Sequence, residues 1–274
     1  MELLRGRTLQ ETCAAAEARR QKLPFALAAW IGARVADALH HAHELRDETG
    51  SPALVVHRDV NPSNIFLCVS GEPKVIDFGL AKARDRIGGT AIGVVKGKLA
   101  YLSPEQVAGK PVDRRSDIFS LGITLWEITV GRRLFREDSD VATVRRVLAA
   151  DVPDPTTLVP DYPPALAAVL RRALDPDPMT RFASANELAR ELDAFVEGAG
   201  GCSANAVAGL LAELFPPESA PAWEEIVFPH GSQRERTERG SESPGQMRVW
   251  DDDAQKMTWM AASAVSRAPP NGRR

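Results

Sequence analysis

Asp59, Asn64 and Asp77 bring two carboxylates and an amide oxygen into one short stretch of chain. Such oxygens can accept hydrogen bonds or protons, or serve as ligands to a hard cation. The three residues stand in larger groupings. His57-Arg58-Asp59 comes first, then Asn64, then Asp77-Phe78-Gly79, and finally Ser103-Pro104-Glu105. Any one of these acids alone reads as a solvated surface residue. Their order and spacing together point to chemistry built on positioned oxygens.

The flanking residues define what must hold those oxygens. Leu54-Val55-Val56 is a short apolar run that reads as a strand leading into the loop. Residues 65–69 and 74–76 flank Ser70-Gly71-Glu72-Pro73, the pattern of a hairpin with a Gly/Pro-bearing turn. The acids therefore belong on loops at strand ends. Helical periodicity covers residues 8–22 and 24–46, where Ala29, Trp30, Val35, Ala36 and Leu39 recur at helical spacing. Further helices are expected over 117–129, 139–150, 163–174 and 184–197, the last with Leu188, Leu192 and Phe195 on one face. His40, His41 and His43 fall within about one turn and point in different directions, a poor arrangement for a metal.

The motif series H-R-D-x-x-x-x-N, D-F-G and S-P-E resembles the catalytic half of a protein kinase. Phosphoryl transfer asks for a positioned hydroxyl, metal ions bridging phosphates, and charge around the transferred group. The resemblance implies that Asp59 accepts the substrate proton and that Asn64 and Asp77 hold Mg2+. Asn61 stands where the family usually carries a lysine near the phosphate, and it supplies no charge. Lys98, at a position where Ser/Thr kinases commonly have threonine, is the candidate to replace that cation by reaching back toward Asp59. His57, Arg58, Phe78 and Gly79 complete their motifs. Asp117 matches a buried aspartate that hydrogen-bonds the catalytic-loop backbone, and Arg181 matches the arginine that pairs with Glu105; these serve architecture.

Met1 to Gly6 is similar to the kinase hinge, with Met1 at the gatekeeper position. The resemblance implies that the backbones of Glu2 and Leu4 hydrogen-bond the adenine of ATP above Phe66. No G-x-G-x-x-G and no V-A-I-K lysine occur in these 274 residues. The expectation is thus a mainly α, kinase-like C-terminal lobe over residues 1–197 with a small β-hairpin at the catalytic loop, lacking its N-terminal lobe. Two accounts of that lack stay open, a truncated or start-miscalled reading frame and a genuinely isolated lobe. The expected function is a serine/threonine protein kinase of the bacterial eukaryotic type acting on a protein substrate; the alternative is a non-catalytic binding or scaffold module. Arg58 suggests control by a phosphorylated activation segment, for which Thr90 is the candidate. An exposed cleft floor, including Phe66 and Phe78, implies self-association.

Beyond residue 197 a Gly-rich linker precedes a short helix over 205–214, and the Ser/Glu/Arg/Gly-rich composition of 230–246 predicts disorder. Trp223, Trp250 and Trp259 are unusual there and could dock on the lobe or on a partner. The net charge of -3 gives no reason to expect nucleic acid. No apolar run is long enough to span a bilayer. Cys13, Cys68 and Cys202 show no C-x-x-C pairing and read as a reduced, cytoplasmic set.

Overall fold

The computed structural model describes residues 2–78, 98–216, 224–228, 246–251 and 256–261. In chain order its main elements are β1 (Glu2–Thr8), α1 (Leu9–Ala18), α2 (Phe25–His43), β2 (Ile65–Cys68), β3 (Pro73–Val75), α3 (Pro104–Val107), α4 (Arg114–Val130), α5 (Asp140–Ala149), α6 (Pro164–Ala173), α7 (Ala185–Gly198), α8 (Ala204–Leu214), β4 (Glu224–Phe228), β5 (Gln246–Asp251) and β6 (Lys256–Ala261). The architecture is mainly α, as the sequence implies.

Local signals set the helix ends. Thr8 and Glu11 form a capping box that opens α1, the Thr8 hydroxyl accepting from Glu11 N–H and the Glu11 carboxylate accepting from Thr8 N–H. Arg20 at φ 56° keeps that helix from running on to residue 22. Ser103 and Gln106 form a second capping box at α3. α2 packs against both α4 and α7, and α6 packs against α4 and α7. The α2–α4 crossing is close because Gly32 faces Leu125: a Cβ at Gly32 would lie 2.7 Å from Leu125 Cδ2. The core extends through Leu188 and Leu192 of α7 to Val207, Leu211 and Leu214 of α8. Arg19 reinforces that attachment, donating to the carbonyls of Glu213 (2.6 Å) and Leu214 (3.0 Å).

The expected hairpin is β2–β3, and its register pairs Ile65 with Val75. It belongs to a larger sheet of order β3-β2-β1-β4-β5-β6. β1 runs antiparallel to β2, and Gly6 permits the contact, since a Cβ there would lie 2.0 Å from the Leu67 carbonyl oxygen. β4 to β6 fall in the stretch for which composition alone predicted little order. The disorder expected over 230–246 lies outside the described residues except for Gln246, which opens β5. Trp223 also lies outside them, while Trp250 and Trp259 fall on β5 and β6.

The run before the catalytic loop motif also differs from expectation. Residues 54–56 form no strand, and Leu54 takes φ 50° with its side chain exposed. The reason lies just downstream: the N–H groups of His57 and Arg58 are committed to the Asp117 side chain, so no sheet ladder forms across this run. Among the described residues no helix is long and apolar enough to cross a membrane.

Candidate active site

Asp117, in the first turn of α4, organises the loop before the hairpin. It is wholly buried, and its carboxylate accepts from His57 N–H (2.8 Å), Arg58 N–H (2.8 Å) and His43 Nε2 (2.8 Å). Three donors on a buried carboxylate offset its desolvation and fix the backbone they come from. His57 Nε2 in turn donates to the Ile76 carbonyl (3.0 Å), which leaves Nδ1 to accept from Asp59 N–H (3.3 Å). Arg58 and Asp77 both adopt the left-handed region, at φ 64° and 65°. Each such conformation costs about 1 kcal/mol or more in a non-glycine residue, and tertiary bonds like those of Asp117 make it sustainable.

This frame presents Asp59 to a ring of donors. Lys98 Nζ lies 2.5 Å from Asp59 Oδ2, Asn64 Nδ2 lies 3.0 Å from the same oxygen, and Asn61 Nδ2 lies 3.0 Å from Oδ1. A carboxylate has about four lone-pair sites, so the three side-chain donors among the described residues leave one for an incoming hydroxyl. Lys98 thus reaches Asp59 as the sequence suggested. Its side chain is 44% exposed, so the pair adds little to stability, about 0–1 kcal/mol. Asn61 is buried and fully used: its Oδ1 accepts from Ser63 N–H (2.9 Å), capping the 3-10 turn Pro62–Asn64.

Asn64 gives its amide hydrogens to the Asp59 backbone carbonyl (2.8 Å) and carboxylate, which turns its Oδ1 away from them. Ile76 N–H donates to the Asn64 carbonyl (3.0 Å), so Asp77 directly follows a residue tied to Asn64. Phe78 sets its ring edge-on to His57, with centroids 4.6 Å apart. The amide oxygen and carboxylate oxygen fit a hard divalent cation. Gly79, Thr90 and Met1, singled out by the sequence, lie outside the described residues.

Glu2 and Leu4 are on β1. The expected exposure of Phe66 is overturned: it is 0% exposed, packed in a small cluster with Leu4, Cys68 and Ile76. Of the two rings on which self-association was expected to rest, only Phe78, at 39%, is exposed.

The segment carrying Lys98 is anchored from behind. Tyr101 N–H donates to the Lys98 carbonyl (3.0 Å), and the Tyr101 hydroxyl donates to Glu127 of α4 (2.7 Å) while accepting from Arg133. Burial, helped by the adjacent Glu127 carboxylate, pushes the Tyr101 phenol well above its ordinary value. Further along, Arg181 grips Glu105 with both arms, Nη1–Oε1 at 2.7 Å and Nη2–Oε2 at 3.0 Å, and Ser116 adds a hydroxyl at 2.5 Å. Burial alone would raise the Glu105 carboxyl, but the bonds from Arg181 and Ser116 outweigh it and hold it below the usual carboxylate range. Arg181 also stacks over Phe119 at 4.5 Å.

Sequence reasoning missed His43 and Gln106, whose Nε2 donates to the Arg58 carbonyl (3.0 Å). His43 was visible only as one of a histidine cluster; Gln106 sits one place after the S-P-E motif.

The Asp117-centred loop, Asp59 among its donors and the Glu105–Arg181 clamp form the frame of the candidate site. Residues 1–192 match the protein kinase domain family, and the chain belongs to it. It is 41% identical over 196 residues to Tyrosine-protein kinase MasK of Myxococcus xanthus, covering 72% of this chain and 30% of that protein. It is 35% identical over 197 residues to Serine/threonine-protein kinase PknL of Mycobacterium tuberculosis, covering 72% and 46%. Against Serine/threonine-protein kinase PknB of Mycolicibacterium smegmatis it is 40% identical over 146 residues, covering 53% and 23%. The chain spans less than half the length of each of these relatives.

Proposed function

We propose that this chain is the catalytic part of a serine/threonine protein kinase, moving the γ-phosphoryl group of ATP to a protein hydroxyl. The observation that carries the reading is the Asp59 carboxylate held among Lys98, Asn61 and Asn64 with one acceptor site to spare. Asp59 accepts the proton of the substrate hydroxyl through that site. Lys98 keeps positive charge beside the reacting centre where Asn61 cannot. Asn64 and Asp77 would hold Mg2+, which when bound neutralises phosphate charge. The Glu2 and Leu4 backbones receive adenine. In this reading residues 1–197 are the larger lobe and 198–274 an appended segment.

The relatives PknL and PknB are named serine/threonine kinases and MasK a tyrosine kinase, so the acceptor hydroxyl is the point to test. Asn61-Pro62-Ser63 favours serine/threonine by its likeness to that branch. The chain, joined to a small lobe carrying a glycine-rich loop, should transfer label from γ-labelled ATP to serine and threonine of a mixed protein substrate. Label confined to tyrosine, or none, counts against the proposal.

A prediction about the 274 residues themselves follows from their motifs. The glycine-rich loop and lysine that grip phosphates are not among them. Alone they should bind Mg-ATP more weakly than ~1 mM, equivalent to about -4 kcal/mol. A micromolar dissociation constant by calorimetry contradicts this.

A further inference from the structure

β1 has two hydrogen-bonding edges, and its register assigns residues to each. Val69 N–H donates to the Arg5 carbonyl (2.8 Å), and the register that sets Gly6 opposite Cys68 and Arg7 opposite Leu67 sets Arg5 opposite Val69. The backbone polar groups of Arg5 and Arg7 therefore face β2. Successive strand residues direct these groups to opposite edges, so those of Glu2, Leu4 and Gly6 face the other way. β4 lies on that other edge, with Glu2 opposite Phe228, Leu4 opposite Ile226 and Gly6 opposite Glu224. By the same alternation these are the pairs that exchange hydrogen bonds.

Glu2 and Leu4 are the residues whose backbones the proposed function gives to adenine. A strand and a purine cannot take the same N–H and C=O groups at once. The side chains of this region are closed off as well: Leu4 is 5% exposed and Phe66, expected beneath adenine, 0%. The other edge of β4 carries β5, with Ile226 opposite Arg248, and β5 pairs with β6 along its whole length. The occupant is thus a three-stranded unit from the C-terminal segment.

We infer that β4 is an internal competitor of the nucleotide, occupying the edge of β1 that adenine needs, so that ATP binds only when residues 224–228 leave. The inference rests on the adenine assignment made above and adds regulation by the chain's own C-terminal segment. A ligand that binds only the released form has its apparent affinity reduced by the released fraction. If a tenth of the molecules or fewer have β4 released, the apparent dissociation constant rises roughly tenfold or more.

The test uses the full 274-residue chain with Ile226→Pro, which removes the N–H directed at Leu4, and separately with Phe228→Pro, which removes the one directed at Glu2. Amide hydrogen exchange and Mg-ATP titration are read on all three proteins. Each substitution should speed exchange at the Leu4 and Gly6 amides and tighten Mg-ATP binding roughly tenfold or more. Saturating Mg-ATP should speed exchange within 224–228 of the unsubstituted chain. Faster exchange with unchanged nucleotide affinity overturns the competition while leaving the nucleotide site standing. Unchanged exchange in both variants overturns the pairing itself. Faster exchange with no nucleotide bound by any form, alone or joined to a small lobe carrying a glycine-rich loop, overturns the proposed function, and this inference with it.

Discussion

Replacing Lys98 by threonine should slow the chemical step about 10²-fold, equivalent to about 2.7 kcal/mol, while leaving the stability of the lobe nearly unchanged. The two effects separate because the Lys98–Asp59 pair is partly exposed, with side chains 44% and 22% accessible, and such pairs add little to folding. In the proposed mechanism Asp59 is the proton acceptor, and a cation 2.5 Å from its carboxylate would act where charge develops. The rate should be read by single turnover in the chain joined to a small lobe, so that product release does not hide the step. Adding Asn61→Lys to that variant should recover much of the loss, since the cation then returns from the other side of the loop. Recovery will carry a stability cost of about 1 kcal/mol, because Asn61 caps the turn at Ser63. Asp59→Asn should abolish turnover in either background. Non-additivity between positions 61 and 98 is the decisive result, for it arises only if both side chains serve the same charge. An unchanged single-turnover rate in Lys98→Thr assigns the lysine to the surface.

Much of this site was legible because its parts are local. His57 through Asn64 form one loop, and motif spacing alone marks Asp59, Asn64 and Asp77. Lys98 was reachable by asking which residue could make good the charge missing at Asn61. What stayed hidden depends on packing between distant segments. Which of His40, His41 and His43 turns inward is set by how α2 lies on α4, and only then does His43 meet Asp117, 74 positions along the chain. Leu54 to Val56 have the composition of a strand, yet the claim of Asp117 on the next two amides overrides that propensity. The strands of the C-terminal segment were masked by polar neighbours. Met247 and Val249 on β5, and Met257 and Trp259 on β6, alternate with polar residues in the period of a strand, a signal that bulk composition averages away. The pairing of β4 with β1 joins residues more than two hundred positions apart, and no local pattern encodes such a register.

Arg181→Met should destabilise the lobe by about 3–5 kcal/mol at neutral pH, because it strands the Glu105 carboxylate in a buried site. In the native chain the folded-state carboxyl is held below its unfolded value. Its contribution is therefore fully present above the unfolded value of about 4.3 and is lost as pH falls through the lowered folded value. Removing the guanidinium leaves burial, the largest single influence on this group, opposed only by Ser116 and the backbone. The carboxyl should then sit above its unfolded value, and the sign reverses: the variant recovers part of its lost stability on acidification, as the buried group becomes neutral. Urea unfolding at pH 7 and near pH 4.5 reads both effects, with the gap between native and variant narrowing at the lower pH. Glu105→Leu combined with Arg181→Met should be far less damaging than the two single losses added, since no charge is left unpaired and the side chains lie against Phe119. A gap that does not change with pH shows that Arg181 contributes through packing and its carbonyl contacts to Asp175 and Pro176, with the ion pair itself incidental.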